Sequence, residues 1–149
     1  MEPKKSYKSF RYRTSAVWSS GRKGTATAEG KPGLQFSSPP EFKGDAGVWT
    51  PEDLLVTGLN TCILETFLSF VERRGLGLVA YESSAEGLLE FTDGKYRFTE
   101  IALQPKIAVK SQEDVEKAKE LVEAAHANCF ISNSITATVK ISPEIHIAS

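Results

Sequence analysis

Hydrophobic positions are densest at residues 50–74, TPEDLLVTGLNTCILETFLSFVERR, and this stretch is predicted to form one long helix. Thr50 suits the cap, Pro51 suits the first helical position, and Glu52 and Asp53 place negative charge at the positive end of the dipole. Arg73 and Arg74 lie at the far end, where cations are favoured, and Gly75 stops the run. Between the ends, Leu54, Leu55, Val56, Leu59, Ile63, Leu64, Phe67, Leu68, Phe70 and Val71 leave almost no polar face. Such a helix is expected to be buried on most sides. It spans roughly 35 Å at about 1.5 Å per residue. A membrane span has the same length, but Glu52, Asp53, Asn60, Glu65 and Glu72 argue against one.

The other segments are weaker in pattern. Residues 7–17 alternate, with Phe10, Tyr12, Thr14 and Ala16 against Arg11, Arg13 and Ser15, which predicts a half-buried strand. A glycine-flanked turn follows at 18–24, then strands at 25–29 and 34–37 around a Gly-Lys-Pro-Gly turn, together an antiparallel meander. Residues 39–49 form a Pro- and Gly-rich loop. Residues 79–91 and 96–109 flank an Asp-Gly pair and predict a long hairpin, with Pro105 marking an edge or a bulge. Residues 111–126 carry Val115, Ala118, Leu121, Val122 and Ala125 at helical spacing, an ordinary amphipathic helix. A last strand is expected at 135–141, and the tail after Pro143 carries no signal. The order β-β-β-α-β-β-α-β predicts an α+β fold with antiparallel sheets and two main helices. One sheet covers only one side of the apolar helix, which leaves its other side for a partner subunit.

Composition narrows this picture. The chain has 149 residues, 40% hydrophobic and 25% charged, as expected of a single globular domain over 1–149. Its net charge of −1 gives no electrostatic case for nucleic acid. The basic start, MEPKKSYKSFRYR, is followed by no apolar h-region, so the expected location is cytoplasmic, away from membranes. The basic arm itself reads as a solubilising terminus rather than a binding element.

Two cysteines, Cys62 and Cys129, are too few for a zinc site by themselves and are unlike a structural staple in a cytoplasmic chain. Inert core thiols, a catalytic thiol with a resolving partner, and a metal pair completed by histidine all remain open. His126 and Cys129 stand at i, i+3, but a second pair of ligands is missing and His146 in the tail fits poorly. A reactive thiol needs a cation or hydrogen bonds to stabilise its thiolate. Arg22, His126 and the helix ends are the available sources. By themselves Arg22 reads as a solvated loop charge and Glu52 as a first-turn helix charge. Ser132 and Asn133 read as hydrogen-bonding the turn after the second helix.

Three segments together resemble one family. Residues 50–62 are similar to the PE-x-L-[L/F]-x-x-[G/A]-x-x-x-C segment of the OsmC/Ohr family, which includes the organic hydroperoxide resistance proteins. Residues 125–133, AHANCFISN, resemble its AH-x-x-C-P-x-S-N segment, and residues 20–24, SGRKG, resemble the loop that carries its arginine. The resemblance covers nearly the whole chain and implies an intertwined α+β homodimer. It implies a thiol-dependent peroxidase for organic hydroperoxides, with Cys62 peroxidatic, Cys129 resolving, Arg22 holding the thiolate and Glu52 orienting Arg22. It implies no bound cofactor and no metal, with a dithiol such as a protein-bound lipoyl group as electron donor. An apolar lining from Leu59, Ile63 and Phe130 would favour alkyl peroxides over hydrogen peroxide. Phe130 departs from the family's Pro. The alternative reading is a non-catalytic stress-response or apolar-ligand-binding protein on the same fold.

Overall fold

A computed structural model describes residues 7–149; the part of the basic arm before Tyr7 lies outside the described residues. The chain divides into two compact units, residues 1–53 and 54–149.

In the first unit, strands β1 (Ser15–Ser20), β2 (Lys23–Thr27) and β3 (Leu34–Ser37) form the expected antiparallel meander in the order β1-β2-β3. The β1–β2 turn is only Gly21 and Arg22, and Gly21 takes φ +55, which suits glycine. Gly24 is required for packing, because a Cβ there would lie 2.5 Å from the Val17 carbonyl oxygen and 2.6 Å from the Phe36 ring. The first strand differs from expectation. It starts at Ser15 rather than Tyr7, and every residue in it is exposed. The ladder runs out at Ser15 opposite Thr27, the last residue of the five-residue β2, so among the described residues Tyr7–Thr14 pairs with no strand. Further along, the Ser37 hydroxyl is buried and accepts the Asp45 N–H at 3.0 Å, while Lys23 and Asp45 form an ion pair at 3.1 Å. The unit ends in a reciprocal cap: the Asp53 N–H donates to Thr50 Oγ1 at 3.0 Å, and the Thr50 N–H donates to Asp53 Oδ2 at 3.1 Å. That cap satisfies two of the free donors at the start of α1 (Pro51–Arg74).

The second unit holds most of α1, strands β4 (Leu78–Thr92) and β5 (Lys95–Val109), helix α2 (Gln112–Asn128), and strands β6 (Thr138–Ile141) and β7 (Glu144–Ile147). Asp93 and Gly94 both take positive φ, 52 and 82, giving the two-residue turn whose twist matches a hairpin. The hairpin is the expected one, lengthened by a residue or two and with a register shift at Leu88/Leu89. The final strand differs more. The segment after α2 forms two strands, β6 and β7, and both pair parallel to β5. Parallel pairing follows from the helical crossover that α2 provides between β5 and β6. Ser142 and Pro143 separate the two strands, since proline has no N–H for the ladder. Pro105 is fully buried and lies on neither an edge nor a bulge. It falls between the registers of β6 (Glu100–Leu103) and β7 (Lys106–Val109), where no parallel partner calls for its missing donor.

Helices α1 and α2 bury their apolar residues with one face of this sheet. Phe67 meets Ile107, Val109, Val115, Ala118, Leu121 and Ala125 in one cluster. Leu59 and Ile63 meet Ile101, Leu103 and Cys129 in a second. On α1, only Leu59, Ile63 and Phe67 are buried, a narrow i, i+4, i+8 stripe. The expectation of burial on most sides is not met within one chain. By length and composition α1 is long and apolar enough to cross a membrane; here its stripe is part of the core.

Candidate active site

Cys62 sits in the middle of α1, half-buried, and Cys129 caps the end of α2, fully buried; both are free thiols. The fold brings them together, with the two side chains hydrogen-bonded to each other. They meet because α1 and α2 share the sheet face, and because the chain turns sharply after Asn128. That turn is held by its own polar groups. The Asn133 side chain donates to the Ala127 carbonyl at 3.2 Å and its N–H to the Cys129 carbonyl at 3.0 Å. The Ser134 hydroxyl donates to the Phe130 carbonyl at 2.6 Å. The turn's peptide N–H groups then face the sulfurs: the Ser132 N–H donates to Cys129 Sγ at 3.4 Å, and the N–H groups of Ile131 and Phe130 serve Cys62.

The two thiols ionise very differently. Burial pushes Cys62 up, but the Cys129 thiol, the Ile131 N–H, the Thr66 hydroxyl and the Phe130 N–H all favour its thiolate and hold it below the ordinary thiol value. Cys129 is pushed up to about 11, by burial first and then by donating its hydrogen bond to Cys62; the Ser132 N–H opposes this only in part. The pair is therefore one half-buried thiol that ionises below the ordinary value beside one buried thiol that ionises above it. Thr66 and the peptide N–H donors are not part of the motif reading. Thr66 stands at i+4 from Cys62, a spacing that puts both on one helix face. Its single proton rests on the Cys62 carbonyl oxygen at 2.8 Å, so it reaches the sulfur only by turning from the backbone.

Leu59 and Ile63 are fully buried beside the pair, with Ile131, Ile135 and Val139 packed around them. Phe130 is not part of this lining: its ring is 80% exposed while its N–H serves Cys62. His126 lies half-buried in the last turn of α2, and among the described residues no group of three or more His, Cys, Asp or Glu could hold a metal.

Arg22 and Glu52 belong to the first unit. Arg22 occupies the exposed β1–β2 turn. Glu52 lies in the first turn of α1, and its Oε2 is buried with no hydrogen-bond partner. An Arg22–Glu52 pair is not among the ion pairs formed by the described residues.

The model of a family described as OsmC-like protein matches residues 44–144, a span that includes both cysteines. The chain belongs to the OsmC-like family. Among its relatives is the uncharacterized protein YmaD of Bacillus subtilis, 29% identical over 136 residues, which cover 89% of this chain and 91% of that protein. An OsmC-like protein of unknown function from Vibrio cholerae has the same fold, with a TM-score of 0.83 at 22% identity over 91% of this chain and 99% of its own. A Legionella pneumophila structure described as an organic hydroperoxide resistance protein OsmC superposes with a TM-score of 0.72 at 25% identity, over 91% and 96%. The OsmC-like α+β architecture is thus shared across nearly the whole length of these chains.

Proposed function

We propose that this OsmC-like chain is a thiol-dependent peroxidase that reduces organic hydroperoxides, working as one domain in a cytoplasmic homodimer. The observation that carries the reading is the meeting of an acidic Cys62 with a protonated Cys129 in an apolar setting. The Cys62 thiolate attacks the terminal oxygen of the hydroperoxide, the O–O bond breaks, and Cys62 becomes a sulfenic acid. The alkoxide leaves as the alcohol, with the Cys129 proton the nearest to follow it. The Cys129 sulfur then attacks the Cys62 sulfur, hydroxide leaves and becomes water by taking back from solvent the proton that Cys62 released on ionising, and a disulfide forms. An external dithiol, such as a protein-bound lipoyl group, returns both thiols by exchange and is itself oxidised to a disulfide.

Arg22 supplies the cation for the thiolate in this proposal, and Glu52 holds the guanidinium. The buried, unpartnered Glu52 Oε2 supports a cationic partner for that carboxylate. Leu59 and Ile63 favour alkyl and aryl peroxides over hydrogen peroxide, since each buried methylene contributes about 0.8 kcal/mol. The test is turnover of cumene hydroperoxide with a dithiol reductant. Cys62→Ser is expected to abolish it, and consumption by Cys62→Ser at the wild-type rate would refute the proposal and favour a non-catalytic, apolar-ligand-binding role.

A further inference from the structure

We propose that the reduced Cys62–Cys129 pair is also a binding site for trivalent arsenicals of the form R–As(OH)2, captured through two As–S bonds. The inference goes beyond the peroxidase reading, because it needs only the geometry of the pair and not its turnover. Three observations carry it. The two thiols are free and share one apolar cluster, with Cys129 buried in it and Cys62 packed against it, each side chain acting on the other. They come from different elements, mid-α1 and the end of α2, so neither is displaced in sequence with the other. Their surroundings are Leu59, Ile63, Ile131 and Ile135, with no third His, Cys, Asp or Glu grouped with them among the described residues. Two soft sulfur donors without oxygen or nitrogen ligands select a soft, low-coordinate centre over a hard cation.

The chemistry balances without any change of oxidation state. The half-exposed Cys62 sulfur attacks arsenic first, and one hydroxyl leaves, taking a thiol proton as water. The Cys129 sulfur attacks the same arsenic, and the second hydroxyl leaves with the second proton as another water. The product is R–As(S)2 bridging α1 to the end of α2. If one As–S bond breaks, the second sulfur keeps the arsenic in place until the bond re-forms, an effective-concentration gain that a single thiol lacks. The apolar residues packed around the pair limit the water that would hydrolyse the bridge.

The test is titration of the reduced protein with phenylarsine oxide in excess glutathione, followed by intact mass and by the thermal midpoint. The expected result is one arsenical per chain, a raised midpoint, no release by glutathione and full release by 2,3-dimercaptopropanol. Cys62→Ser and Cys129→Ser should each bind at least about 100-fold more weakly, with far-UV circular dichroism confirming that they fold. A second measurement needs no variant: wild type oxidised with diamide should not bind, and should bind again after reduction. Wild type stripped by glutathione, a single-cysteine variant that binds as tightly as wild type, or oxidised protein that still binds would each overturn the proposal. Hydroperoxide turnover of untreated protein, measured alongside, separates the two readings: inert turnover with retained bridging removes only the peroxidase.

Discussion

Cys129 holds its proton more tightly than an ordinary thiol and Cys62 less tightly, and the difference lies in what each sulfur faces. Cys62 faces a thiol and two peptide N–H groups, whereas Cys129 is buried and spends its proton on Cys62. Reactivity of Cys62 toward a neutral alkylating agent should therefore rise with pH through a midpoint below the usual 9.0. Cys129→Ala should move that midpoint upward, because the thiolate loses a donor; an unchanged midpoint would contradict this account of its acidity. Cys129→Ser should consume one equivalent of hydroperoxide to give a Cys62 sulfenic acid and a second to give the sulfinic acid, but fail to turn over, with sulfinic acid accumulating on Cys62 in the mass spectrum under excess peroxide. The two cysteines were legible in the sequence because each sits in a spaced segment of distinctive residues. The peptide donors of Phe130, Ile131 and Ser132 were not, since a main-chain N–H has no residue signature and depends on how the chain turns after Asn128. Phe130 misled for the same reason: its identity is apolar, but the turn that aims its N–H inward leaves its ring in solvent.

At the level of elements, α1 and α2 position the sulfurs, so their anchoring matters more than their propensity. Ser111 caps α2 by accepting the Asp114 N–H at 3.3 Å, and Asp114 in turn accepts the Gly77 N–H at 3.2 Å, tying the helix start to the chain before β4. Ser111→Ala should cost about 1 kcal/mol in urea unfolding. Leu59→Ala or Ile63→Ala should cost roughly 2–5 kcal/mol and slow disulfide formation more than the first oxidation, because these residues set the distance between α1 and Cys129. Equal slowing of both steps would argue that they serve stability alone. The helices, the meander and the hairpin were readable from periodicity and from the Asp-Gly turn. The parallel β6 and β7 were not, because two four-residue strands carry too little alternation and their direction is decided by the α2 crossover. The first strand was readable, but its start at Ser15 was not, because it is set by where the partner strand β2 ends and not by alternation within the segment itself.

For the molecule as a whole, each of the two units leaves apolar surface uncovered within one chain. Only Leu59, Ile63 and Phe67 of α1 are buried, and Val17 and Trp18 of β1 are 67% and 74% exposed. The proposed homodimer accounts for this surface, and sedimentation at tens of micromolar should give a dimer that Trp18→Glu weakens; a wild-type monomer would contradict it. Stability should also carry the mark of the buried thiol. Between about pH 9 and about 11 the unfolded chain releases the Cys129 proton and the folded chain keeps it, so stability falls as pH rises through that window. Cys129→Ala should lose that part of the slope. The most direct test of the central claim, that Cys62 and Cys129 act as one redox pair, is to treat the fully reduced protein with one equivalent of cumene hydroperoxide and map the products by mass spectrometry. The account predicts a Cys62–Cys129 disulfide within each chain, absent in Cys62→Ser. Two thiols that stay reduced, or oxidation that proceeds equally in Cys62→Ser, would contradict it.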